Sequence, residues 1–134
     1  MNVAHRGASA YEPENTLRAI RRAWEMGAHM VEVDVRMSKD VNLVVIHDET
    51  VDRTTTGRGY VKDLTLNELR RLDAGMGEQI PTLQEVIDLV KGRVKLVVEL
   101  KEAGMEEKVV RMVEENGVED EVFVTSFLHS TVRR

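Results

Sequence analysis

The 134-residue sequence contains no cysteine, only two prolines and only five aromatic side chains. Without cysteine there are no disulfides, no thiolate nucleophiles and no thiolate-bound metal sites. A metal ion would have to be held by carboxylates, imidazoles, carbonyl groups or water. These ligands favour a hard cation such as Mg²⁺ or Ca²⁺.

The sequence also lacks an excess of positive charge and lacks any long apolar run. Nineteen basic residues face 24 acidic ones, so the formal net charge is −5. This balance argues against nucleic acid or an anionic membrane surface as a partner, because both select a basic face. No run approaches the roughly 20 apolar residues of a membrane span, and no signal peptide is recognisable, so we expect a cytoplasmic protein.

Strand-like and helix-like segments alternate along a chain whose length fits one domain. The predicted strands are 2–5, 30–37, 43–46, 94–100 and 122–125. The predicted helices begin at residue 15 or 16, near 64, at 82 and at 106. Such alternation predicts an α/β fold with parallel strands, either an open doubly wound sheet or a (β/α) barrel.

The second strand favours the barrel. Its odd-numbered residues are apolar, whereas Glu32, Asp34 and Arg36 share the opposite face. Central strands of a doubly wound sheet are apolar on both faces, since helices cover both. A charged face instead suits the mouth of a barrel that holds a cation.

The chemically distinctive residues fall toward the carboxyl ends of the predicted strands, the edge where parallel α/β folds bind ligands. They are His5 and Arg6, Glu32 and Asp34, His47 and Asp48, and Glu99 and Lys101. Taken singly, each has a structural interpretation, such as a Glu99–Lys101 salt bridge. By contrast, we expect His29 and His129 to be structural or solvated.

Together these residues indicate a phosphate site. The carboxylates of Glu32, Asp34 and Glu99 suit Mg²⁺ or Ca²⁺. Arg6 and Lys101 suit a phosphate group. Two histidines, His5 and His47, suit a general acid and a general base near neutral pH. A cation, two imidazoles and basic side chains at phosphate together predict cleavage of a phosphodiester.

Eight short stretches resemble the glycerophosphodiester phosphodiesterase family in order and spacing. They are Ala4-His-Arg-Gly7, Pro13-Glu-Asn-Thr16, Val31-Glu-Val-Asp-Val35, Val45-Ile-His-Asp48, Asp52-Arg-Thr-Thr55, Ile80-Pro-Thr-Leu-x-Glu85, Glu99-Leu-Lys101 and Ser126-Phe127. His-Arg-Gly alone would be a weak signal, but chance would have to supply all eight stretches in order.

The resemblance implies a TIM-barrel fold and hydrolysis of glycerophosphodiesters to glycerol 3-phosphate and an alcohol. It carries the metal-ligand role to Glu32, Asp34 and Glu99 and the acid–base role to His5 and His47. It places Arg6 and Lys101 at the phosphate. Glu14 would support the first loop.

Only five of the eight barrel strands are predicted, so residues 1–134 are interpreted as a partial barrel domain. Eight strand–helix units at this spacing need about 200 residues or more. Three alternatives follow: a fragment of a longer enzyme, which we favour, a homo-oligomer that completes the barrel, or a non-catalytic remnant that binds metal and phosphate. Another TIM-barrel metalloenzyme, such as an isomerase, would not explain Arg6, Lys101 and the paired histidines together.

Overall fold

The computed structural model describes residues 2–126. The strands are β1 (Val3–His5), β2 (Met30–Met37), β3 (Leu43–Val45), β4 (Lys95–Leu100) and β5 (Val122–Ser126). The helices are α1 (Leu17–Glu25), α2 (Leu66–Arg70), α3 (Leu83–Val90) and α4 (Glu106–Glu115), with a 3₁₀ turn at Val61–Asp63. The predicted elements are therefore present, with boundaries that move by a few residues. The expectation for His129 and the last residue of the Ser126-Phe127 stretch lie outside the described residues.

Side-chain caps determine where three of the helices begin. The Thr16 hydroxyl accepts a hydrogen bond from the Ala19 amide at 3.1 Å and starts α1. Thr65 and Thr82 start α2 and α3 as capping boxes, in which the glutamate three residues later binds back to the threonine amide. The helix start predicted at residue 82 is confirmed.

Four strands form a parallel sheet in the order β1-β2-β4-β5. The outer face of this sheet is apolar and packs against α1, α3 and α4. Its core includes Ile20, Val31, Val33, Val35, Leu83, Val86, Ile87, Leu96, Val98, Leu100, Val109 and Val113. Four neighbouring parallel strands with helices on one face make half of an eight-stranded barrel.

The third strand differs from the sequence prediction, because β3 runs antiparallel to β2. Val35 pairs with Val45 and Met37 with Leu43, so the end of β2 extends beyond its pairing with β4 and forms a hairpin. The connection between β2 and β3 is only residues 38–42. A parallel crossover needs a dozen residues or more, so this connection permits only a hairpin. The barrel series present is therefore four strands, not five.

Residues 44–80 form a second, smaller core beside the sheet. Its buried members are Val44, Ile46, Val51, Val61, Leu69, Ala74 and Ile80. Strand β3 contributes to both cores, because Leu43 and Val45 face the main one while Val44 faces the smaller one. This arrangement fixes the position of the residues that follow β3.

Gly7 lies in the tight loop between β1 and α1 and has φ +79°. A Cβ atom at this position would lie 2.8 Å from the Ala19 carbonyl carbon and 2.9 Å from the Ile20 amide nitrogen. We expect Gly7→Ala to cost about 1 kcal/mol for the backbone conformation and roughly 1–3 kcal/mol more for the clash. Gly77→Ala is a matched control, since Gly77 has φ +78° and open space around it. Equal losses of unfolding free energy in urea titrations would show that the close approach carries no cost.

No helix of residues 2–126 is long and apolar enough to cross a membrane.

Candidate active site

The candidate site lies on the inner face of the sheet, at the carboxyl ends of the parallel strands. Asp34 and Glu99 are register partners on β2 and β4, and His5 is the register partner of Glu32 on β1 and β2. Registered residues on neighbouring strands lie about 5 Å apart, with side chains on the same face. The backbone pairing therefore brings side chains from three strands to one region.

Asp34 is the most buried charged residue of the site, with 1% of its side chain exposed. Its Oδ2 lies 3.4 Å from Nε of Arg6 and accepts a hydrogen bond from Nδ2 of Asn15 at 3.1 Å. Its Oδ1 lies 3.8 Å from Nζ of Lys101 and has no hydrogen-bond partner among residues 2–126. A buried carboxylate oxygen with spare capacity is a suitable ligand for a hard cation.

The other two predicted metal ligands contact basic side chains. Glu32 pairs with the His5 ring, and Oε2 of Glu99 lies 3.3 Å from Nζ of Lys101. The Glu99–Lys101 ion pair, the structural interpretation of these two residues, is thus present, and Lys101 also lies 3.8 Å from Asp34. Within residues 2–126 no three acidic or imidazole side chains are gathered closely enough to hold a metal ion as they stand. The oxygen donor set fits Mg²⁺ or Ca²⁺ in chemistry, but the carboxylates would have to exchange basic partners for the ion.

His47 reaches the site because of the hairpin. Strand β3 begins beside the carboxyl end of β2 and runs back along it, so that the Ile46 amide donates to the Asp34 carbonyl. Nε of Arg36 donates to the His47 carbonyl at 2.9 Å and fixes its backbone. The ring Nδ1 lies 2.8 Å from Oδ1 of Asp48. His47 therefore stands at the predicted rim, although the strand that brings it there runs in the other direction.

A chain of ion pairs connects His47 to Arg6. Arg53 contacts Asp48 at 2.8 and 3.0 Å and Glu14 at 2.9 and 3.0 Å. Glu14 in turn lies 3.4 Å from Nη1 of Arg6. The predicted supporting role of Glu14 thus corresponds to a bridge between two arginines.

The charges around the two carboxyls lower their pKa values. The hydrogen bond from Arg53 holds the pKa of Asp48 well below its usual range, with a further contribution from His47. Burial alone raises the pKa of Glu14, but the hydrogen bond and charge of Arg53, together with Arg6 and His47, outweigh burial and lower it. Both groups are therefore ionised at neutral pH and act only as hydrogen-bond acceptors.

Two residues of the first loop have left-handed backbone conformations. Arg6 and Asn15 both have φ +56°, and the Asn15 amide donates to the Arg6 carbonyl at 2.9 Å. Asn15 is buried, and besides its bond to the Asp34 carboxylate it accepts from the Asp34 amide at 3.4 Å. Asparagine tolerates the left-handed region better than most residues. The Asn15 side chain thus forms hydrogen bonds with both the carboxylate and the backbone amide of Asp34. Strained backbone of this kind is typical of functional sites.

Six of the eight predicted site residues, Arg6, Glu14, Asp34, His47, Glu99 and Lys101, lie in one network of contacts, whereas His5 and Glu32 form a separate pair. His5 contacts Glu32, whereas His47 contacts Asp48. Sequence reasoning missed two participants. Asn15 lies in a matched stretch at the predicted start of α1, where Thr16 provides the cap, and Arg53 lies in another matched stretch; neither has a predicted role in the site. The left-handed conformation of Asn15 and the fold that brings Arg53 to Glu14 had no sequence signal.

A cavity of about 690 Å³ lies at the opposite end of the sheet. Its lining includes His29, Arg93 and Lys95, at the amino ends of β2 and β4. Ligands of parallel α/β folds bind at the carboxyl ends, where the charged network lies, so this cavity is not the candidate active site.

The sequence matches the model of the "Glycerophosphoryl diester phosphodiesterase family" over residues 5–132. It is 48% identical to a glycerophosphodiester phosphodiesterase of Caldanaerobacter subterraneus subsp. tengcongensis over 98% of this chain and 59% of that protein. The chain thus spans about three fifths of the length of this relative.

The chain is also similar to solved structures of phosphodiesterases. A glycerophosphodiester phosphodiesterase from Agrobacterium tumefaciens superposes with a TM-score of 0.90 at 40% identity, covering 95% of this chain and 58% of that one. A phosphodiesterase from Oleispira antarctica, solved in complex with the product sn-glycerol-3-phosphate, has a TM-score of 0.88 at 36% identity. It is matched over 95% of this chain and 57% of its own. The predicted α/β fold, a partial (β/α) barrel with parallel strands, is confirmed.

Proposed function

The chain belongs to the glycerophosphoryl diester phosphodiesterase family, and from this membership we propose that it hydrolyses glycerophosphodiesters to glycerol 3-phosphate and an alcohol. The observation that carries the proposal is the cluster around the buried Asp34. Arg6 and Lys101 reach this carboxylate from different strand ends, beside Glu99 and Glu32. The bound product of the Oleispira antarctica relative supports glycerol phosphate as the recognised group.

Arg6 and Lys101 are proposed to bind the phosphate. Both side chains are mostly buried, and both are held by carboxylates of the site. An arginine and a lysine on two sides of a phosphate neutralise its charge and orient it, since the guanidinium forms directed hydrogen bonds and the ammonium acts as a point charge.

Glu32, Asp34 and Glu99 are proposed to hold one divalent cation, Mg²⁺ or Ca²⁺. Two features support this assignment. Oδ1 of Asp34 has no hydrogen-bond partner among residues 2–126, and all of the proposed ligand atoms are oxygens. When bound, the cation would polarise a phosphate oxygen and lower the pKa of the glycerol 2-hydroxyl. Lys101, which neutralises Asp34 and Glu99 in this structure, would then be released toward the substrate.

His5 and His47 are proposed as the acid–base pair. One imidazole removes the proton of the glycerol 2-hydroxyl, whose oxygen attacks phosphorus, and the other protonates the leaving alcohol. The resulting cyclic phosphate is then opened by water to glycerol 3-phosphate. The two rings must begin in different protonation states, so the pH–rate profile of the reaction is bell-shaped.

The expected result of a release assay is formation of choline from glycerophosphocholine by the 134-residue chain in the presence of Mg²⁺ or Ca²⁺. Chelation by EDTA is expected to abolish release, and added cation to restore it. Glu99→Gln is expected to raise the cation concentration needed for half-maximal release. The exposed Glu119→Gln is its control and is expected to leave that concentration unchanged. Release that persists unchanged in EDTA would contradict the metal assignment.

The alternative is a truncated, non-catalytic fragment that binds metal and phosphate and self-associates. It is favoured by the open inner face of the sheet, where the large apolar side chains of Val3 and Phe123 are exposed. Strands β1 and β5 are also sheet edges within residues 2–126, and open edges promote association. Cation binding without turnover, together with a dimer in light scattering, would favour this second function. A monomer that unfolds cooperatively would exclude self-association.

A further inference from the structure

Arg53 links two segments that are otherwise separate in the site. Its Nε and Nη2 donate to the two oxygens of Asp48 at 2.8 and 3.0 Å. Its Nη1 and Nη2 donate to the two oxygens of Glu14 at 3.0 and 2.9 Å. Asp48 follows β3, whereas Glu14 belongs to the loop between β1 and α1. One guanidinium therefore joins the residue beside His47 to the loop that carries Arg6.

The contact between Asp48 and His47 determines the tautomer of the ring. Asp48 is ionised and can only accept a hydrogen bond. The 2.8 Å contact from Nδ1 of His47 to Oδ1 of Asp48 consequently requires the proton on Nδ1. Nε2 of the neutral ring then carries the lone pair that can accept a proton. The hydrogen bond at one ring nitrogen thus fixes the function of the other.

Without Arg53, the Asp48 carboxylate would stabilise this tautomer weakly. About a quarter of its side chain is exposed to solvent, so the carboxylate could rotate away from the ring and bind water instead. Arg53 removes this freedom by holding both carboxylate oxygens at once. A planar guanidinium can do so while it also holds Glu14, since it presents five donors in a fixed fork. A lysine ammonium has the charge but cannot form two bidentate contacts in opposite directions.

We infer that Arg53 is a positioning residue, which acts through Asp48 to keep His47 protonated on Nδ1 and through Glu14 to keep the Arg6 loop beside it. The inference rests on the proposed function, because it assigns a role in the same site. It also extends beyond that function, because it assigns a role to Arg53 in the segment 51–60. This segment contributes no proposed metal ligand and no proposed proton-transfer group.

The experiment measures the ring nitrogens of His47 in the 134-residue chain by two-bond ¹H–¹⁵N NMR. At a pH at which the ring is neutral, the unsubstituted protein is expected to carry the ring proton on Nδ1. In Arg53→Gln the two tautomers are expected to interconvert and mix, and in Arg53→Lys the shift is partial. Arg58→Gln removes an exposed arginine from the same segment and is expected to leave the spectrum unchanged. His47 shifts in Arg53→Gln that equal those in Arg58→Gln would overturn the inference.

Two further measurements keep the result interpretable. If circular dichroism shows that Arg53→Gln does not fold, the His47 tautomer is compared between the unsubstituted protein and the Asp48→Ala and Arg53→Lys variants instead. Glycerophosphocholine turnover is measured in parallel, and Arg53→Gln is expected to lose about tenfold to hundredfold in kcat, a part of the roughly 10²–10⁴ that a general acid–base group contributes. A tautomer change without turnover in any sample would refute the proposed function and leave the positioning role intact. Normal turnover with an unchanged tautomer in Arg53→Gln would refute only the positioning role.

Discussion

Replacing either His5 or His47 by alanine is expected to lower the rate of glycerophosphodiester cleavage by about 10²–10⁴-fold, the contribution of a positioned general acid or base. The two rings lie against different carboxylates, so each removal affects one proton transfer and leaves the other group in place. Because each step needs its own proton transfer, neither ring can substitute for the other. The measurement is steady-state turnover over a range of pH with saturating cation.

The shape of the pH profile makes this prediction specific. The unsubstituted protein is expected to show two limbs, and each histidine variant is expected to lose the limb that its own proton transfer produces. His29→Ala is a suitable control, since His29 lies at the amino end of β2, where its Nδ1 accepts from the Asn2 amide at 3.1 Å. Near-full activity in either the His5 or the His47 variant, with cation bound, would contradict the paired acid–base assignment.

Removing the carboxylate of Asp34 is expected to be the most destabilising substitution in the site. Asp34→Ala leaves Nδ2 of Asn15 without its acceptor and removes the buried carboxylate that Arg6 and Lys101 share, so that Arg6 keeps only Glu14 and Lys101 only Glu99 as an ion-pair partner among residues 2–126. Breaking a buried charge pair in this way costs roughly 3 kcal/mol, which in a chain of this size lowers Tm by about 10 °C. The measurement is thermal unfolding followed by circular dichroism without added cation.

Asp34→Asn separates hydrogen bonding from charge. The amide oxygen can still accept from Asn15, so the loss of stability is expected to be smaller than in the alanine variant. Added Mg²⁺ or Ca²⁺ is expected to raise the Tm of the unsubstituted protein, since an ion that binds only the folded state stabilises it, and to leave both variants unchanged. Asp120→Ala, at an exposed turn, is the control. Equal Tm values for Asp34→Ala and Asp120→Ala would show that the buried cluster adds no stability.

The sheet and most of the site could be predicted because their residues carry strong local signals. Alternation of apolar and charged residues in β2 placed Glu32 and Asp34 on the inner face, where the structure has them. Glu99 was predicted at the same edge because it ends a strand, and the structure brings it beside Asp34 through the direct pairing of β2 with β4. Patterns with a period of two residues directly specify which face a side chain occupies, so this part of the prediction depended on little else.

The predicted parallel direction of β3 was wrong, and the short β2–β3 connection in the sequence already argued against it. Alternation of strands and helices was taken to imply a crossover before every strand, but five residues between Met37 and Leu43 cannot form one. By contrast, Asn15 and Arg53 could not be found from local patterns. Their importance depends on which side chain the fold places opposite them, Asp34 for Asn15 and Glu14 for Arg53.

The separate small core of residues 44–80 has a consequence for the dynamics of the protein. Its buried side chains form a cluster separate from the main core, with β3 joining the two, so we expect it to open as a cooperative unit while the parallel strands stay folded. His47 and Asp48 would leave with that unit, and His5, Asp34 and Glu99 would remain behind. The proposed acid–base pair is therefore divided between two packing regions, and native-state hydrogen exchange is expected to give different amide exchange rates for residues 44–80 and for the parallel strands.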